Sequence, residues 1–468
     1  MSGARPVFYP VFLWSNNVMK QQNDFLHGRI LPPLLRFAGP VLLALFLQAM
    51  YGAVDLMVVG KFAGTADISA VSTGSQAMQL VTSLIAGLTT GVTVLLGQKI
   101  GEGASEQAGS VIGSAICLFA CVALGLTALL VTLTEPFCRL LQAPEAAFTP
   151  TAQYVRICGA GTLFIVAFNV IGSVFRGLGD SKMPLITVAI ACVVNIFGDL
   201  LLVAVFHMGA AGAALATVFA QAVSVVLSLF VIARRKLPFS FHKRQLRFDR
   251  PLTASILRLG LPIALQDVLV GVSFLVIIAI VNSLGLLQSA GVGIAEKVCA
   301  FVMLLPSAFS QSVSAFVAQN IGAGKPERAK TALRCAVGLS LAVSVFVFYF
   351  NFFHGDLLAG IFASEPDVIA EAADYLKAYA IDCLLTSFLF CFIGYFSGRG
   401  KTVFVMTQGI LGAFGVRIPV SFFMSRLPNV RLFYIGLATP CSTVVQVILC
   451  LGYYFLLNRC DKAASAPL

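Results

Sequence analysis

Two acids stand inside apolar stretches, where a charge is costly. Asp199 lies in "ACVVNIFGDLLLV", residues 191–203, and Asp55 lies in the apolar run that follows Pro40. An ionised side chain at the centre of a bilayer costs about 2.5–3.5 kcal/mol on insertion scales, so such acids usually face protein or water. A pair of acids in this setting can bind a proton, or share a small cation when both are ionised. These residues therefore predict an ion-binding site.

Three further polar residues are expected near the two acids. Asn195 precedes Asp199 by one helical turn and Gln48 precedes Asp55 by two turns, so each shares a helix face with its acid. At 1.5 Å per residue, both acids lie about 21 Å from the inner ends of their apolar runs. Thr217, on the next run, reaches a similar depth. We expect these side chains to line one cavity, with simple interhelical hydrogen bonds as the alternative.

The composition predicts that helices in a membrane position these residues. Of 468 residues, 59% are hydrophobic and 11% are charged, too few polar side chains to cover a water-soluble globule of this size. Apolar runs long enough to cross about 30 Å of hydrocarbon as helices recur along the chain, whereas barrel strands would be about 10 residues with an alternating pattern. We predict an all-α integral membrane protein. Its twelve transmembrane helices are expected near 36–60, 67–98, 108–133, 151–175, 183–206, 211–233, 254–284, 287–318, 330–353, 370–396, 402–424 and 431–457. Gly and Pro residues inside them, Gly87, Gly91 and Pro306, predict bends or close helix contacts.

The basic residues predict the orientation in the membrane. Lys and Arg are retained on the cytoplasmic side, and most of the 31 present fall there if both termini are cytoplasmic. Topology then accounts for the net charge of +11, and no nucleic-acid partner is needed. We expect a multi-pass protein of the plasma (inner) membrane with cytoplasmic tails at 1–30 and 458–468 and a basic linker at 234–253. The patch "VFYPVFLW" is too short for a signal peptide, and Met19 is an alternative start.

The chain repeats itself at a fixed distance. "GQKIGEG" at 97–103 matches "AQNIGAG" at 318–324, and "FRGLG" matches "FSGRG" with the same shift of 221 residues. A constant offset predicts two pseudo-symmetric six-helix lobes, residues 31–233 and 254–457. Because six spans return the chain to its starting side, both lobes enter the membrane from the same side, and we expect a central cavity between them.

The second half does not repeat the acids of the first. Under the 221-residue shift, Asp55 and Asp199 correspond to Val276 and Val420. The ion site is therefore predicted in the first lobe alone. The second half has charges of its own, which we expect to pair with one another or to meet substrate. They are Asp267, Glu296, Lys297, Asp382 and Arg417.

Taken together, these features resemble the multidrug and toxic compound extrusion (MATE) family. The features are the two halves, Gln48 seven residues before Asp55, the Asn195-x-x-x-Asp199 pair, Thr217 within "GAALATV", and "FRGLGDSKMP" after the fourth span. The resemblance covers about residues 25 to 458. It implies a secondary transporter that exports organic, often cationic, compounds in exchange for protons or sodium.

The resemblance also implies roles for individual residues. Asp55 and Asp199 would be the cation-coupling acids, and Asn169 on the fourth span would be a further cavity residue beside Asn195, Thr217 and Gln48. Some family members place acids in the seventh and tenth spans, where this chain has Val270 and Phe388. This departure favours proton coupling in the first lobe, with sodium at Asp55 and Asp199 as the alternative. No other cofactor is implied. We expect a monomer in the bilayer whose cargo is a small organic cation or another amphipathic molecule.

Two other functions fit parts of the pattern. A flippase for a lipid or lipid-linked precursor would also need a polar cavity, with basic residues such as Lys297 and Arg417 to hold phosphates. An intramembrane acyl or glycosyl transferase is disfavoured, because all four histidines fall in predicted tails or loops. We therefore expect a transporter and not an enzyme.

Overall fold

The structure is a computed structural model that describes residues 25–234, 242–428 and 430–464. Throughout these residues the regular structure is helical and contains no strand. In the described part of the chain, eleven helices are long and apolar enough to cross a membrane, and a bent pair supplies a twelfth span if it counts as one. The all-α fold and the twelve predicted spans are therefore confirmed. Three parts of the predicted segments lie outside the described residues. They are residues 1–24 of the N-terminal tail, which include the apolar patch and Met19, residues 235–241 of the linker, and residues 465–468 of the C-terminal tail.

The helices of the described residues are named here in chain order. They are α1 (Leu31–Phe62), α2 (Thr65–Gly101), α3 (Ser105–Thr132), α4 (Thr134–Leu140), α5 (Glu145–Ala160), α6 (Thr162–Gly177), α7 (Lys182–Asp199), α8 (Gly209–Arg234), α9 (Arg250–Asn282), α10 (Leu286–Val302), α11 (Leu304–Gly322), α12 (Pro326–Phe353), α13 (Gly355–Gly360), α14 (Pro366–Gly398), α15 (Thr402–Ile410), α16 (Ile418–Met424), α17 (Leu432–Gly436) and α18 (Ala438–Ala464). A π-helical segment, Leu200–Val205, continues α7, and a second, Leu411–Arg417, joins α15 to α16. A 3-10 turn spans Lys243–Gln245.

Two spans are broken where the sequence supplies a small residue or a proline. α5 and α6 form one span that is bent by 52°, and the bend falls at Gly161, where an added methyl group would lie 2.4 Å from Val218. α10 and α11 are separated at Met303. Pro306 explains this break, since it has no N–H to bond the carbonyl of Val302 one turn earlier.

The described chain divides into two compact units. The first unit runs up to Ala264 and takes in Ala315–Ala329, and the second holds Leu265–Ser314 and the chain from Lys330 onward. The limits expected for the two six-helix lobes stay a prediction.

Helix backbones approach one another closely inside the first unit. An added methyl group at Gly91 of α2 would lie 2.3 Å from the carbonyl oxygen of Ile256 in α9, and one at Gly87 would lie 2.4 Å from the Cα atom of Ala264. Lipid tails are as apolar as leucine, so helices in a membrane associate largely through such close van der Waals contact between small residues. The helix contacts predicted from Gly87 and Gly91 are confirmed.

The chain just before α1 is held by the start of α12. Phe25 is 2% exposed, and its ring packs 5.4 Å from that of Phe37 and 4.9 Å from that of Phe316. Arg328 donates from Nε to the carbonyl oxygen of Phe25 and from Nη2 to that of His27, each at 2.9 Å. The planar guanidinium can hold two carbonyls at once, which a lysine ammonium cannot do with the same geometry. This contact fixes the entry into α1.

Replacing Gly91 with alanine should destabilise the first unit. The new methyl group has no room against α9, and overpacking of this kind costs about 1–3 kcal/mol. The melting temperature of the purified protein should fall. Gly125 of α3 has open space around it, so Gly125→Ala should leave the melting temperature unchanged or raise it, as alanine favours helix by about 1 kcal/mol. Equal melting temperatures for the two variants would contradict the α2–α9 contact.

Arg328→Gln should expose the chain before α1 to protease. Loss of the guanidinium removes hydrogen bonds worth about 1.5–3 kcal/mol each when the donor is charged. Trypsin cleavage after the exposed Arg29 should become about tenfold faster or more, as measured by mass spectrometry of the intact protein. Arg334→Gln is the matched control, because Arg334 lies on the same helix but is exposed and, among the described residues, donates only to Thr331 of its own helix. Identical cleavage rates in both variants would show that Arg328 does not hold this segment.

Candidate ion-binding site

Close packing of α7 on α8 brings the predicted polar residues together. An added methyl group at Gly198 would lie 3.0 Å from the Cβ atom of Ala216, so the two helices touch at this level. Beside the contact, Nδ2 of Asn195 donates to Oγ1 of Thr217 at 3.4 Å. Thr217 Oγ1 in turn donates to Oδ2 of Asp55 at 3.2 Å. α1, α7 and α8 therefore contribute to one polar cluster, as the sequence predicted.

The two acids of this cluster are shielded from solvent. Asp55 is 5% exposed and Asp199 is 0% exposed, and their carboxyl groups lie close to each other. Among the described residues, no hydrogen-bond donor reaches Oδ1 of Asp55 or either oxygen of Asp199. A buried acceptor left without a donor costs about 1–3 kcal/mol. A proton or a small cation shared by the two carboxyls would satisfy these oxygens.

Asp199 lies where the helix changes its geometry. It is the last residue of α7, and the π-helical segment Leu200–Val205 follows it directly. π-helical turns inside α-helices are rare and are frequently found at functional sites. The hydrophobic pattern is continuous across this span. The wider turn could therefore not be predicted from the sequence.

Gln48 lies near Tyr51, a residue that was not predicted from the sequence. The Tyr51 hydroxyl lies near the side chains of both Gln48 and Gln221. Tyr51 precedes Asp55 by four residues and Gln221 follows Thr217 by four, so the same i,i+4 rule that placed Asn195 would have found both. The polar face therefore continues along α1 and α8 for another turn.

Asn169 and Tyr154 differ in how they relate to the two acids of the first unit. Asn169 is half-buried on α6, and its Nδ2 donates at 2.9 Å to the carbonyl oxygen of Ile165 in its own helix. Among the described residues no hydrogen bond joins Asn169 to the acids, so its role stays a prediction. Tyr154 of α5 is 3% exposed and lies close enough to Asp55 and Asp199 to interact with them electrostatically. Sequence spacing gave no signal for Tyr154, which comes from a different span.

The direction of the hydrogen bonds limits where a proton can reside. The Thr217 hydroxyl donates to Oδ2 of Asp55 and accepts from Asn195. Oδ1 of Asp55 and both oxygens of Asp199 accept no hydrogen bond from a described residue and are the open positions for a proton. For a small hard cation the same region offers oxygen ligands, including Oδ1 of Asn195, which no described donor reaches. Both predicted ions therefore fit the residues present.

Among the described residues, the five charged side chains that the sequence singled out in the second half do not form ion pairs with one another. Arg417 closes the π-helical segment, is 6% exposed, and donates from Nη1 to Oγ of Ser273 at 3.1 Å. Its guanidinium carbon lies 4.4 Å from the ring centroid of Phe274. Asp382 is 1% exposed and interacts with Arg417 electrostatically. Within the described ranges, however, no nitrogen of Arg417 comes within 4.0 Å of the Asp382 carboxylate.

The other three charged residues that the sequence singled out in the second half are more accessible to solvent. Asp267 of α9 and Lys297 of α10 are exposed, and Glu296 is half-buried. In the described part of the chain none of them forms an ion pair within 4.0 Å. Their expected contact with substrate stays a prediction.

Comparison with known proteins finds a family match in both halves of the chain. The model of the family described as MatE matches residues 40–201 and again 262–423, which confirms the predicted repeat. The chain is 30% identical over 444 residues to the probable multidrug resistance protein YpnP of Bacillus subtilis (strain 168), covering 93% of this chain and 95% of that protein. It is 24% identical over 452 residues to the multidrug export protein MepA of Staphylococcus haemolyticus (strain JCSC1435), covering 94% and 97%.

Solved structures share the fold at low sequence identity. The outward-facing conformation of a multidrug resistance MATE family transporter of the MOP superfamily superposes with a TM-score of 0.87 at 19% identity, over 94% of this chain and 98% of that one. A MOP superfamily transporter from Pyrococcus furiosus, described as having a binding pocket of reverse polarity, gives 0.88 at 20% identity over 95% and 98%. These similarities show the fold.

Thr217→Val should destabilise the cluster while preserving its shape. Valine fills the same volume but cannot donate to Asp55, whose buried oxygen then lacks its donor at a cost of about 1–3 kcal/mol. The melting temperature should fall relative to wild type. Thr217→Ser keeps the hydroxyl and should be closer to wild type than the valine variant. If serine destabilises the protein as much as valine does, the methyl group matters and the hydrogen bond does not.

Proposed function

The chain belongs to the MATE family, and on that premise we propose that it is a secondary antiporter that exports organic, cationic compounds in exchange for protons by alternating access. Family membership points to a transporter rather than an enzyme, in a multi-pass membrane protein. The observation that carries the proton coupling is the buried pair Asp55 and Asp199. The names of the relatives, multidrug resistance and multidrug export proteins, support export of several compounds.

Binding of a shared proton would change the relative stability of the two conformations, which such an exchange requires. With both acids ionised, two like charges face each other in a region of low dielectric and several oxygens lack donors. Binding one proton removes a charge and turns one carboxyl into a donor for the other. The protonated pair therefore favours closer packing of α1 against α7 and α8 than the ionised pair does. We propose that this repacking is coupled to release of the substrate on the outer side.

Coupling needs the proton to bind the two conformations with different affinity. A ligand that binds both conformations equally shifts nothing between them. The α7–α8 contact at Gly198 and the π-helical turn after Asp199 are the local features that would differ between the two conformations. The orientation with both termini cytoplasmic and a monomeric state belong to this proposal.

Sodium at the same acids is the alternative ion. Asp55 and Asp199 with Oδ1 of Asn195 could hold it as oxygen ligands, and the experiment below separates the two ions. The flippase alternative gains no observation in its favour. Arg417, one of its two candidate phosphate ligands, is already engaged by Ser273 and Phe274.

Asp55→Asn and Asp199→Asn should each abolish proton-driven transport. Asparagine keeps the size of the side chain but neither binds nor releases a proton in this range. Uptake of a fluorescent organic cation into inverted membrane vesicles should fall to the level of empty vesicles, a loss of about tenfold or more. Asp356→Asn is the matched control, because Asp356 is an exposed acid at the start of α13, and it should transport like wild type.

Imposing a proton gradient and a sodium gradient separately identifies the ion. Uptake by wild type under the proton gradient alone supports the proposal. Uptake under the sodium gradient alone, lost in both variants, would keep the site and change the ion. Proton-driven uptake retained in both variants would contradict a coupling role for the two acids.

A further inference from the structure

An open apolar groove runs along the first unit between α3, α6 and α8. Its volume is about 350 Å³, within the range of ligand pockets, about 300–1,000 Å³. Every residue that lines it is Ile, Leu, Val, Phe or Ala. These residues fall in α3 between Ile112 and Ala120, in α6 and the residue after it between Leu163 and Leu178, and in α8 between Val225 and Ile232. We call it the α3–α6–α8 groove.

The groove is elongated along the helix axes. At 1.5 Å per residue, its lining residues extend over about 12 Å of α3 and about 22 Å of α6. The hydrocarbon of one leaflet is about 15 Å thick, half of the 30 Å of a bilayer. The groove is therefore long enough for an extended chain that runs through one leaflet.

The groove has a buried floor and an exposed rim. Phe119 and Phe175 in the floor are 2% and 3% exposed, whereas Ile116, Leu163 and Leu229 at the rim are 41%, 48% and 53% exposed. All three helices belong to membrane-spanning segments. In a bilayer the molecules that face such an apolar rim are the acyl chains of lipids, which match the lining in chemistry.

The basic linker is fixed beside one end of the groove. Gln245 donates from Nε2 to the carbonyl oxygen of Glu106 at 3.2 Å. An added methyl group at Gly113 would have no room against the carbonyl oxygen of Gln245. Ile112, which precedes Gly113, lines the groove. The linker therefore packs on α3 where the groove ends.

This end of the groove carries exposed arginines. Residues 234–250 hold seven Lys and Arg and one acid. Arg244 is exposed, and in the described part of the chain no acidic oxygen lies within 4.0 Å of it. Arg234 ends α8 two residues after Ile232, and its guanidinium carbon lies 4.1 Å from the ring centroid of Phe230. Clusters of four to eight basic residues next to a membrane-spanning helix attract anionic lipids.

The acids on the linker and at the start of α3 do not cancel this charge. Asp249 is paired with Arg247 at 3.8 Å, and Glu106 is an exposed acid in the first turn of α3. Arg234, Arg244 and the exposed Arg250 therefore face Glu106 alone among these acids. The end of the groove keeps a net positive charge.

We propose that the α3–α6–α8 groove binds one acyl chain of an anionic phospholipid, whose phosphate is held by Arg234 and Arg244. Planar guanidinium groups suit this role because they can donate two parallel N–H bonds to a phosphate. The lipid belongs to the leaflet on the linker side, which is cytoplasmic in the orientation proposed above. Leu246 and Phe248 of the linker, 44% and 56% exposed, add contact with the same leaflet. None of the lining residues belongs to the candidate ion-binding site, so the inference goes beyond the proposed function and does not depend on its ion or cargo.

The test is native mass spectrometry of the purified full-length protein in detergent, titrated with phosphatidylglycerol or with phosphatidylethanolamine. The wild type should bind one phosphatidylglycerol with an affinity about tenfold or more above that for phosphatidylethanolamine, since each arginine near an anionic headgroup contributes about fivefold.

Filling the groove should remove the site for the acyl chain. Ala120→Trp places a large side chain in the groove and should weaken binding of both lipids about tenfold or more, because the acyl chain loses its buried apolar contact. Ala128→Trp is the matched control and should bind like wild type. Ala128 is exposed on the same helix, as Ala120 is, but does not line the groove.

Removing the arginines should act on the headgroup alone. The double variant Arg234→Gln/Arg244→Gln should lower the preference for phosphatidylglycerol to about twofold or less and leave the affinity for phosphatidylethanolamine unchanged. Arg139→Gln/Arg426→Gln is the matched control, because both arginines are exposed elsewhere in the chain. Arg426 also lies over a phenylalanine ring, at 5.0 Å from its centroid, as Arg234 does.

Three results would overturn the inference. The first is the absence of a bound phospholipid on the wild type, and the second is equal affinity in Ala120→Trp and Ala128→Trp. The third is an equal headgroup preference in the two double arginine variants, which would reject the anionic lipid even if the groove binds acyl chains. If Ala120→Trp does not yield a monodisperse protein, the double arginine variants decide.

Discussion

Hydrocarbon offers no hydrogen-bond partner to a peptide group, so a chain that crosses it must satisfy its backbone internally. The long helices of this protein follow from that constraint. So does the way they associate, because lipid competes equally for apolar side chains and helices are held together largely by close contact between small residues and by interhelical hydrogen bonds. Gly91 against Ile256 and Gly198 against Ala216 are contacts of this kind. The second of them sets the distance across which Asn195 and Thr217 meet.

The same constraint makes each polar or charged side chain inside the spans costly in free energy. Two groups of acids inside the described spans differ in character. Asp55 and Asp199 face each other and are nearly or fully buried, which suits an ion small enough to be shared between carboxyls. Glu296 instead is half-buried and lines a cavity beside Tyr375 and Tyr379.

Duplication followed by divergence accounts for this asymmetry. The family model matches both halves, yet the positions equivalent to Asp55 and Asp199 are Val276 and Val420. A second buried acid pair would carry the same desolvation cost without being needed for one coupling ion. Both halves contain a π-helical segment beside a charged residue, at Asp199 in one and Arg417 in the other. The two segments do not lie at equivalent positions, because Leu411–Arg417 corresponds under the 221-residue shift to residues 190–196.

The sequence by itself determined the spans and the repeat, and it predicted a common depth for the acids. These depend on local hydrophobicity and on the fixed rise of a helix, and both follow directly from the order of the residues. Depth and helix face sufficed to group Asp55, Asn195, Asp199 and Thr217. The tertiary structure alone decided which faces meet, because rotation and spacing of helices depend on packing between distant segments. It therefore added Tyr154 from another span, left Asn169 bonded to its own helix, and set Glu296 beside Tyr375 and Tyr379, which lie about eighty residues further along the chain.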